Sequence, residues 1–222
     1  LNKKIYGLDV KTQWDKILDL HALKLAIEHH PDWYYWKLSN NFERAVFLKG
    51  DPVFPRETTR YLWANQNLLG KEICEVGCST GYGSQFLPKD IWYEGLDYDP
   101  IIIQVAQEQE WGEFRTFYNG DINEFNLKPY DTIIAFEVIE HMDNGLEVIE
   151  KLKKHCKRLL ITVPHNEPKG FWGEHHKLHG LKESDFPFFE FHYINEHGKI
   201  SNSPQEISEH NRCNLLIGMW NG

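Results

Sequence analysis

Along residues 72–163 the apolar positions switch repeatedly between two spacings. Short, nearly continuous apolar runs at 72–76, 92–96, 114–118, 131–136 and 158–163 have the length and content of buried strands. Between them, stretches near 82–87, at 100–109 and at 145–156 repeat apolar residues every three to four positions, as helices do. Strands alternating with helices imply βαβ units and a mostly parallel sheet. Ahead of this block, Trp14, Ile17, Leu18, Leu20, Leu23, Leu25 and Ile27 give a helical pattern over 12–29 that Pro31 ends. An aromatic stretch at 33–36 follows, and then Pro52 and Pro55, which forbid continuous helix. Residues 56–69 are expected to form a helix stopping at Gly70. The chain therefore divides into a helical, aromatic extension or cap at 1–57 and a sheet domain at 58–222. Residues 188–195 and 214–220 are expected to close the sheet as a hairpin.

Composition narrows the picture. The 222 residues are 41% hydrophobic, enough for a real core, and include 8 Trp, 10 Tyr and 13 Phe. No run of 18 uncharged apolar residues exists, so a membrane span is not expected. The net charge of −9 argues against a chain built to grip nucleic acid. One basic cluster interrupts that balance, Lys151, Lys153, Lys154, Lys157 and Arg158. It falls at the end of an expected helix, where cations complement the helix dipole. The first residues lack the apolar stretch of a secretory leader, and Cys74, Cys78, Cys156 and Cys213 are not spaced as a zinc knuckle. A reduced, cytoplasmic protein is the expectation.

Candidate chemistry starts at ICEVGCSTGYG, residues 73–83, and at GLDYD, residues 95–99. Here a buried strand breaks into a glycine turn that opens a helix, and a second strand ends in a carboxylate about 20 residues on. Glycines let the backbone approach a bound molecule, because no Cβ intrudes. The later acid suits ribose hydroxyls, so an adenosine-containing cofactor is expected. The turn runs Glu75, Gly77, Cys78, Ser79, Gly81, which is not the G-x-G-x-x-G of a pyrophosphate site. An acid there would repel a phosphate and attract the ammonium and sulfonium of S-adenosylmethionine.

At these residues the chain resembles the class I S-adenosylmethionine-dependent methyltransferases, whose first motif is E/D-x-G-x-G-x-G, with Ser79 standing at a usual glycine. Further likenesses follow in order: residues 95–100, 119–122, 131–141 and 159–166. The resemblance implies a Rossmann-like three-layer sandwich with a seven-stranded, mostly parallel sheet. It implies S-adenosylmethionine as cofactor, with Asp97 on the ribose and Tyr98 flanking the adenine. Asp121 would accept from the adenine amino group, Ile122 would pack on the ring, and Phe136 would line the exit of the fourth strand.

The reaction is a displacement by an acceptor lone pair on the sulfonium methyl, for which the protein must hold both partners close and exclude water. A hydroxyl acceptor also needs a base. The family places such groups after strands four and five, where this chain carries Glu137, Glu140, His141, His165, His175, His176 and His179. His141, His176 and Glu137 are the catalytic candidates, and a small hydroxylated molecule (a sugar or secondary metabolite) is the expected acceptor. An alternative rests on a second resemblance. Glu137, Glu140 and His141 with a later His176 look like the metal-binding set of the small-RNA 3′-end 2′-O-methyltransferases. That reading would hold a divalent ion on four side chains, but metal-free relatives such as the ubiquinone-biosynthesis O-methyltransferase type share the string, so no metal is the favoured expectation. An inactive cofactor-binding module is the remaining class; it would be expected to lose Asp97 or the turn glycines, and both are present.

Overall fold

The computed structural model describes residues 46–170, 175–205 and 213–222; the expected helix at 12–29 and the aromatic stretch at 33–36 lie outside them. Helix α1 (Pro55–Asn67) leads into β1 (Glu72–Val76), then β2 (Trp92–Asp97), α2 (Pro100–Glu108), β3 (Arg115–Asn119) and β4 (Tyr130–Phe136). After these come α3 (Gly145–Lys153), β5 (Cys156–Pro164), β6 (Glu190–Ile194), β7 (Ile200–Ser201) and β8 (Leu215–Asn221). The strands form one sheet in the order β3-β2-β1-β4-β5-β8-β6-β7. Pairing is parallel from β3 through β5 and antiparallel where β5, β8, β6 and β7 meet. The chain moves outward from β1 to β3 and then returns to β4 on the other flank of β1. That reversal opens a crevice at the carboxyl ends of β1 and β4, where such sheets bind ligands.

The closing hairpin forms, with β6 and β8 paired from Glu190↔Met219 to Ile194↔Leu215. Among the described residues the sheet nevertheless has eight strands rather than seven. Asn195 Oδ1 accepts from the backbone N–H of His197 and Lys199 and so turns the chain back. Ile200 and Ser201 then pair with β6 as a two-residue edge strand.

The period-2 alternation of β4 splits the core into two layers. Ile134 and Phe136 face a cluster with Tyr61, Trp63 and Ala64 of α1 and Ile103 and Ala106 of α2. Ile133 and Ala135 face Val148, Ile149 and Leu152 of α3. The expected boundary at 57/58 falls inside α1. Phe47 joins the first of these clusters, while Val46 and Leu48 pack against Ile102 and Val105. The helix expected near 82–87 is a short 3-10 helix, Tyr82–Phe86, lying so close to α1 that a Cβ on Gly83 would sit 2.1 Å from the Tyr61 ring.

Four of the five cations in the basic cluster have partners among the described residues. Lys151 Nζ donates to the carbonyls of Ile122, Asn123 and Phe125. Lys153 lies over the rings of Phe189 and Trp220. Lys157 pairs with Asp131, and Arg158 donates to Asn221 and to the Asn67 carbonyl. These four cations work within the fold. Among the described residues, no helix is long and apolar enough to cross a membrane.

Candidate active site

The glycine turn leaves β1 with three residues in the left-handed region: Gly77 at φ 73°, Ser79 at φ 51° and Gly81 at φ 77°. Ser79 thus adopts the conformation a glycine would take, at some steric cost. The turn is clamped to the next strand, because the N–H groups of Gly77 and Cys78 both donate to the Leu96 carbonyl, at 2.7 and 3.1 Å. Small residues are required here: a Cβ on Gly77 would meet Val138 Cγ2 at 2.2 Å, and one on Gly81 would meet the Phe117 ring at 2.4 Å.

Asp97, at the end of β2, is 5% exposed. Its Oδ2 accepts from the Ser79 N–H and its Oδ1 from the Asp99 N–H, each at 3.1 Å. Asp99 in turn caps α2 by accepting from the N–H groups of Ile101 and Ile102. Turn, carboxylate and helix start are therefore one hydrogen-bonded unit. Tyr98 beside it is 67% exposed. At the exit of β3, Asp121 is exposed and its Oδ1 accepts from the N–H and side-chain amide of Asn123, whereas Ile122 is buried. Phe136 is buried against Tyr61.

Glu75 departs from its expected place beside the cofactor's cations. It is 1% exposed, and its two oxygens accept from the hydroxyls of Tyr61, at 2.5 Å, and of Tyr93. Burial pushes this carboxyl up to about 7, against the pull of the two hydroxyls and of Arg60. Side-chain alternation turns it into the layer between sheet and α1, so it braces the crevice from below.

After β4 the chain kinks. Glu137 has φ 55°, an uncommon conformation for a side chain of that kind, and its Oε1 is enclosed. Burial raises its proton affinity, while Arg56 and Arg60 oppose that rise. Glu140 is fully buried with neither oxygen hydrogen-bonded among the described residues. Burial and then the neighbouring Glu137 push it well above the usual carboxyl range. Ligand atoms of Glu140, His141 and His176 lie within 4.8 Å of one another, and the two imidazoles meet edge to face at 4.7 Å. One carboxylate and two imidazoles, with the carboxylate lacking partners, fit a divalent cation. Glu137 lies outside this cluster, so the four-residue set expected from the sequence reduces to three. His176 Nδ1 lies 2.6 Å from Oε2 of the buried Glu167. His165 points instead toward Glu183 and the Tyr193 ring, and His175 is exposed.

Residues 47–206 match the methyltransferase domain family. The chain belongs to that family. Over 131 residues the chain is 24% identical to the ubiquinone biosynthesis O-methyltransferase of Pseudomonas syringae pv. tomato, covering 54% of this chain and 56% of that one. It thus spans about half the length of the curated relatives it matches. Its fold resembles magnesium protoporphyrin IX methyltransferase from Synechocystis with bound S-adenosylhomocysteine. The TM-score is 0.52 and the identity 19%, over 75% of this chain and 82% of that chain. It also resembles a plantazolicin methyltransferase in complex with a desmethyl-plantazolicin analogue and the same demethylated cofactor. There the TM-score is 0.59 and the identity 15%, over 93% and 97% of the two chains.

Several buried residues near Glu75, Glu137 and His176 carried no motif. Arg56 and Arg60, four apart on α1, are 8% and 5% exposed. Two arginines on the apolar face of a helix, flanking Tyr61, Trp63 and Ala64, were the available signal, since Arg is rarely buried without a partner. Tyr61, Tyr93 and Glu167 likewise stand outside the motifs quoted for the cofactor.

Proposed function

We propose that this methyltransferase uses S-adenosylmethionine to methylate a hydroxyl group of a small molecule. The observation that carries the reading is Asp97, a nearly buried carboxylate tied to the left-handed turn at the mouth of the sheet crevice. The bound cofactor supplies a sulfonium methyl and its own leaving group. Asp97 takes the ribose hydroxyls, Tyr98 and Ile122 flank the adenine, and Asp121 accepts from its amino group. Gly77, Cys78, Ser79 and Gly81 shape the turn that the methionine portion crosses, Phe136 walls it, and Glu75 braces it. His176, with His141 and Glu137 beside it, removes the acceptor's proton as the new bond forms. An acidic chain and a relative named for O-methylation support a small-molecule acceptor over RNA. Thermal unfolding tests the reading. At one hundred times its dissociation constant, S-adenosylhomocysteine should add about 2.7 kcal/mol of stability, NAD should add none, and Asp97→Ala should erase most of the gain. An unchanged melting temperature with saturating cofactor sinks it.

A second reading rests on the cluster of Glu140, His141 and His176, in which the Glu140 oxygens have no hydrogen-bond partner among the described residues. If Glu140, His141 and His176 hold a divalent cation, the ion would acidify the acceptor hydroxyl in place of a histidine base. Elemental analysis of the purified protein before and after chelation separates the two. With a base, His176→Ala costs on the order of 10²–10⁴ in rate at unchanged cofactor affinity. With a metal, His176→Ala and Glu140→Ala both lose bound ion.

A further inference from the structure

Both imidazoles of the cluster that follows β4 and β5 have one ring nitrogen engaged on the protein. His141 Nδ1 stands 3.4 Å from the His175 carbonyl, a loose contact at an exposed side chain. His176 Nδ1 stands 2.6 Å from Glu167 Oε2, and the two residues are 9% and 2% exposed. A carboxylate oxygen accepts, so the proton of this contact belongs to Nδ1 and the neutral ring keeps its lone pair on Nε2. That nitrogen is the one left for an acceptor hydroxyl or for an ion.

The backbone is organised around this contact. The N–H of Asn166 donates to the Leu181 carbonyl at 2.8 Å, and that of Gly180 to the Glu167 carbonyl at 2.9 Å. The N–H groups of Lys177 and Leu178 donate to the Glu140 carbonyl at 2.7 and 3.0 Å. Backbone bonds thus tie both Glu167 and Glu140 to the segment that carries His176. A glutamate on a loop ordinarily reaches water, because enclosing a carboxylate is costly unless it is paired and hydrogen-bonded. Glu167 Oε1 has no hydrogen-bond partner among the described residues, and Glu167 is close enough to Glu140 to raise its proton affinity. Adding a third carboxylate beside Glu137 and Glu140 gains nothing from its neighbours' charge, since like charges repel. The contact with the imidazole is the favourable interaction that this placement gains.

We propose that Glu167 is a positioning residue for methyl transfer: its carboxylate holds the His176 ring and keeps the proton on Nδ1, so that the Nε2 lone pair is the one presented to the acceptor. The inference rests on the role given to His176 above. It applies whether Nε2 takes a proton or binds an ion, because both uses need the same lone pair.

Long-range proton–nitrogen NMR of protein carrying isotope-labelled histidine reads the tautomer directly. Spectra are taken after chelation, so that no ion sets the answer, and above the usual histidine pKa of about 6.5. The His176 signals are identified by their loss in His176→Asn. In the wild-type protein His176 should be protonated on Nδ1. Glu167→Met, similar in size but without an acceptor, should release that preference and move the signals toward the Nε2-protonated form. Glu167→Gln, whose neutral carbonyl accepts more weakly, should fall between the two. A ring protonated on Nε2 in the wild-type protein overturns the proposal, as does the same tautomer in wild type and Glu167→Met. Should Glu167→Met fail to fold, Glu167→Gln decides: a smaller Nδ1-protonated share than in wild type supports the proposal, and an equal share overturns it. Thermal unfolding of the same samples with S-adenosylhomocysteine keeps the two readings apart. The melting shift should be alike in wild type and Glu167→Gln. No shift in the wild-type protein rejects the cofactor reading, while the tautomer still reports on Glu167.

Discussion

Replacing Glu75 by Gln should change how the stability of the protein depends on pH. Burial raises this carboxyl from 4.5 to about 7 in the folded protein, while the unfolded chain restores its usual value. Between those limits the native state holds a proton that the unfolded state has released. Stability therefore falls as pH rises through the window, and is fully present only below it. The separation of 4.5 from about 7, at about 1.4 kcal/mol per pH unit, sums to about 3 kcal/mol. Gln cannot ionise, and its carbonyl still accepts from one of the two tyrosine hydroxyls. Its different hydrogen bonding adds an offset that does not vary with pH. Glu137 and Glu140, also raised by burial, titrate in both proteins and cancel in the difference. Urea unfolding of both proteins across about pH 4–8 supplies the numbers. The variant should gain about 3 kcal/mol on the wild type from the acid to the neutral end. A constant difference across the range would refute the placement of Glu75 as a buried, proton-holding brace.

Other substitutions probe the frame of the site. Gly83→Ala would drive a Cβ to within 2.1 Å of the Tyr61 ring. It should cost about 1–3 kcal/mol in chemical denaturation by overpacking and loosen the hydrogen bond to Glu75; wild-type stability would argue against that contact. Lys151→Ala strips an ammonium from three carbonyls of the loop after β3. It should cost about 1–3 kcal/mol and speed amide exchange at 122–125; exchange unchanged there would show that the loop stands without it. Ser79→Gly should hold stability to within about 1 kcal/mol, because relief of a left-handed side chain offsets added freedom in the unfolded chain. Ser79→Val should lose clearly more, and equal melting temperatures for the two would contradict the φ of 51°.

The sheet was legible because its signals are local. Continuous apolar runs and helical repeats across 72–163 follow from backbone periodicity, and the strands at 72–76, 92–97 and 130–136 lie within a residue of where that periodicity puts them. The turn was legible because Gly77 and Gly81 stand where left-handed backbone is needed. β7 was not, since a two-residue strand has no period and exists only because Asn195 folds the chain back onto β6.

For the site, the sequence by itself determined which residue types reach the crevice, because strand order and strand ends fix who sits at each exit. Only the tertiary structure decided which way they face. Glu75 lies one residue from the turn, yet side-chain alternation turns it to Tyr61 and Tyr93 rather than to the opening. Arg56 and Arg60 come from a helix that no motif includes, and they reach Glu137 only through packing across some 80 residues of chain. Glu140, His141 and His176 meet because the loop after β5 folds back, with the N–H groups of Lys177 and Leu178 donating to the Glu140 carbonyl. Periodicity records neighbours along the chain, whereas direction, burial and charge at a crevice depend on contacts between segments far apart in it.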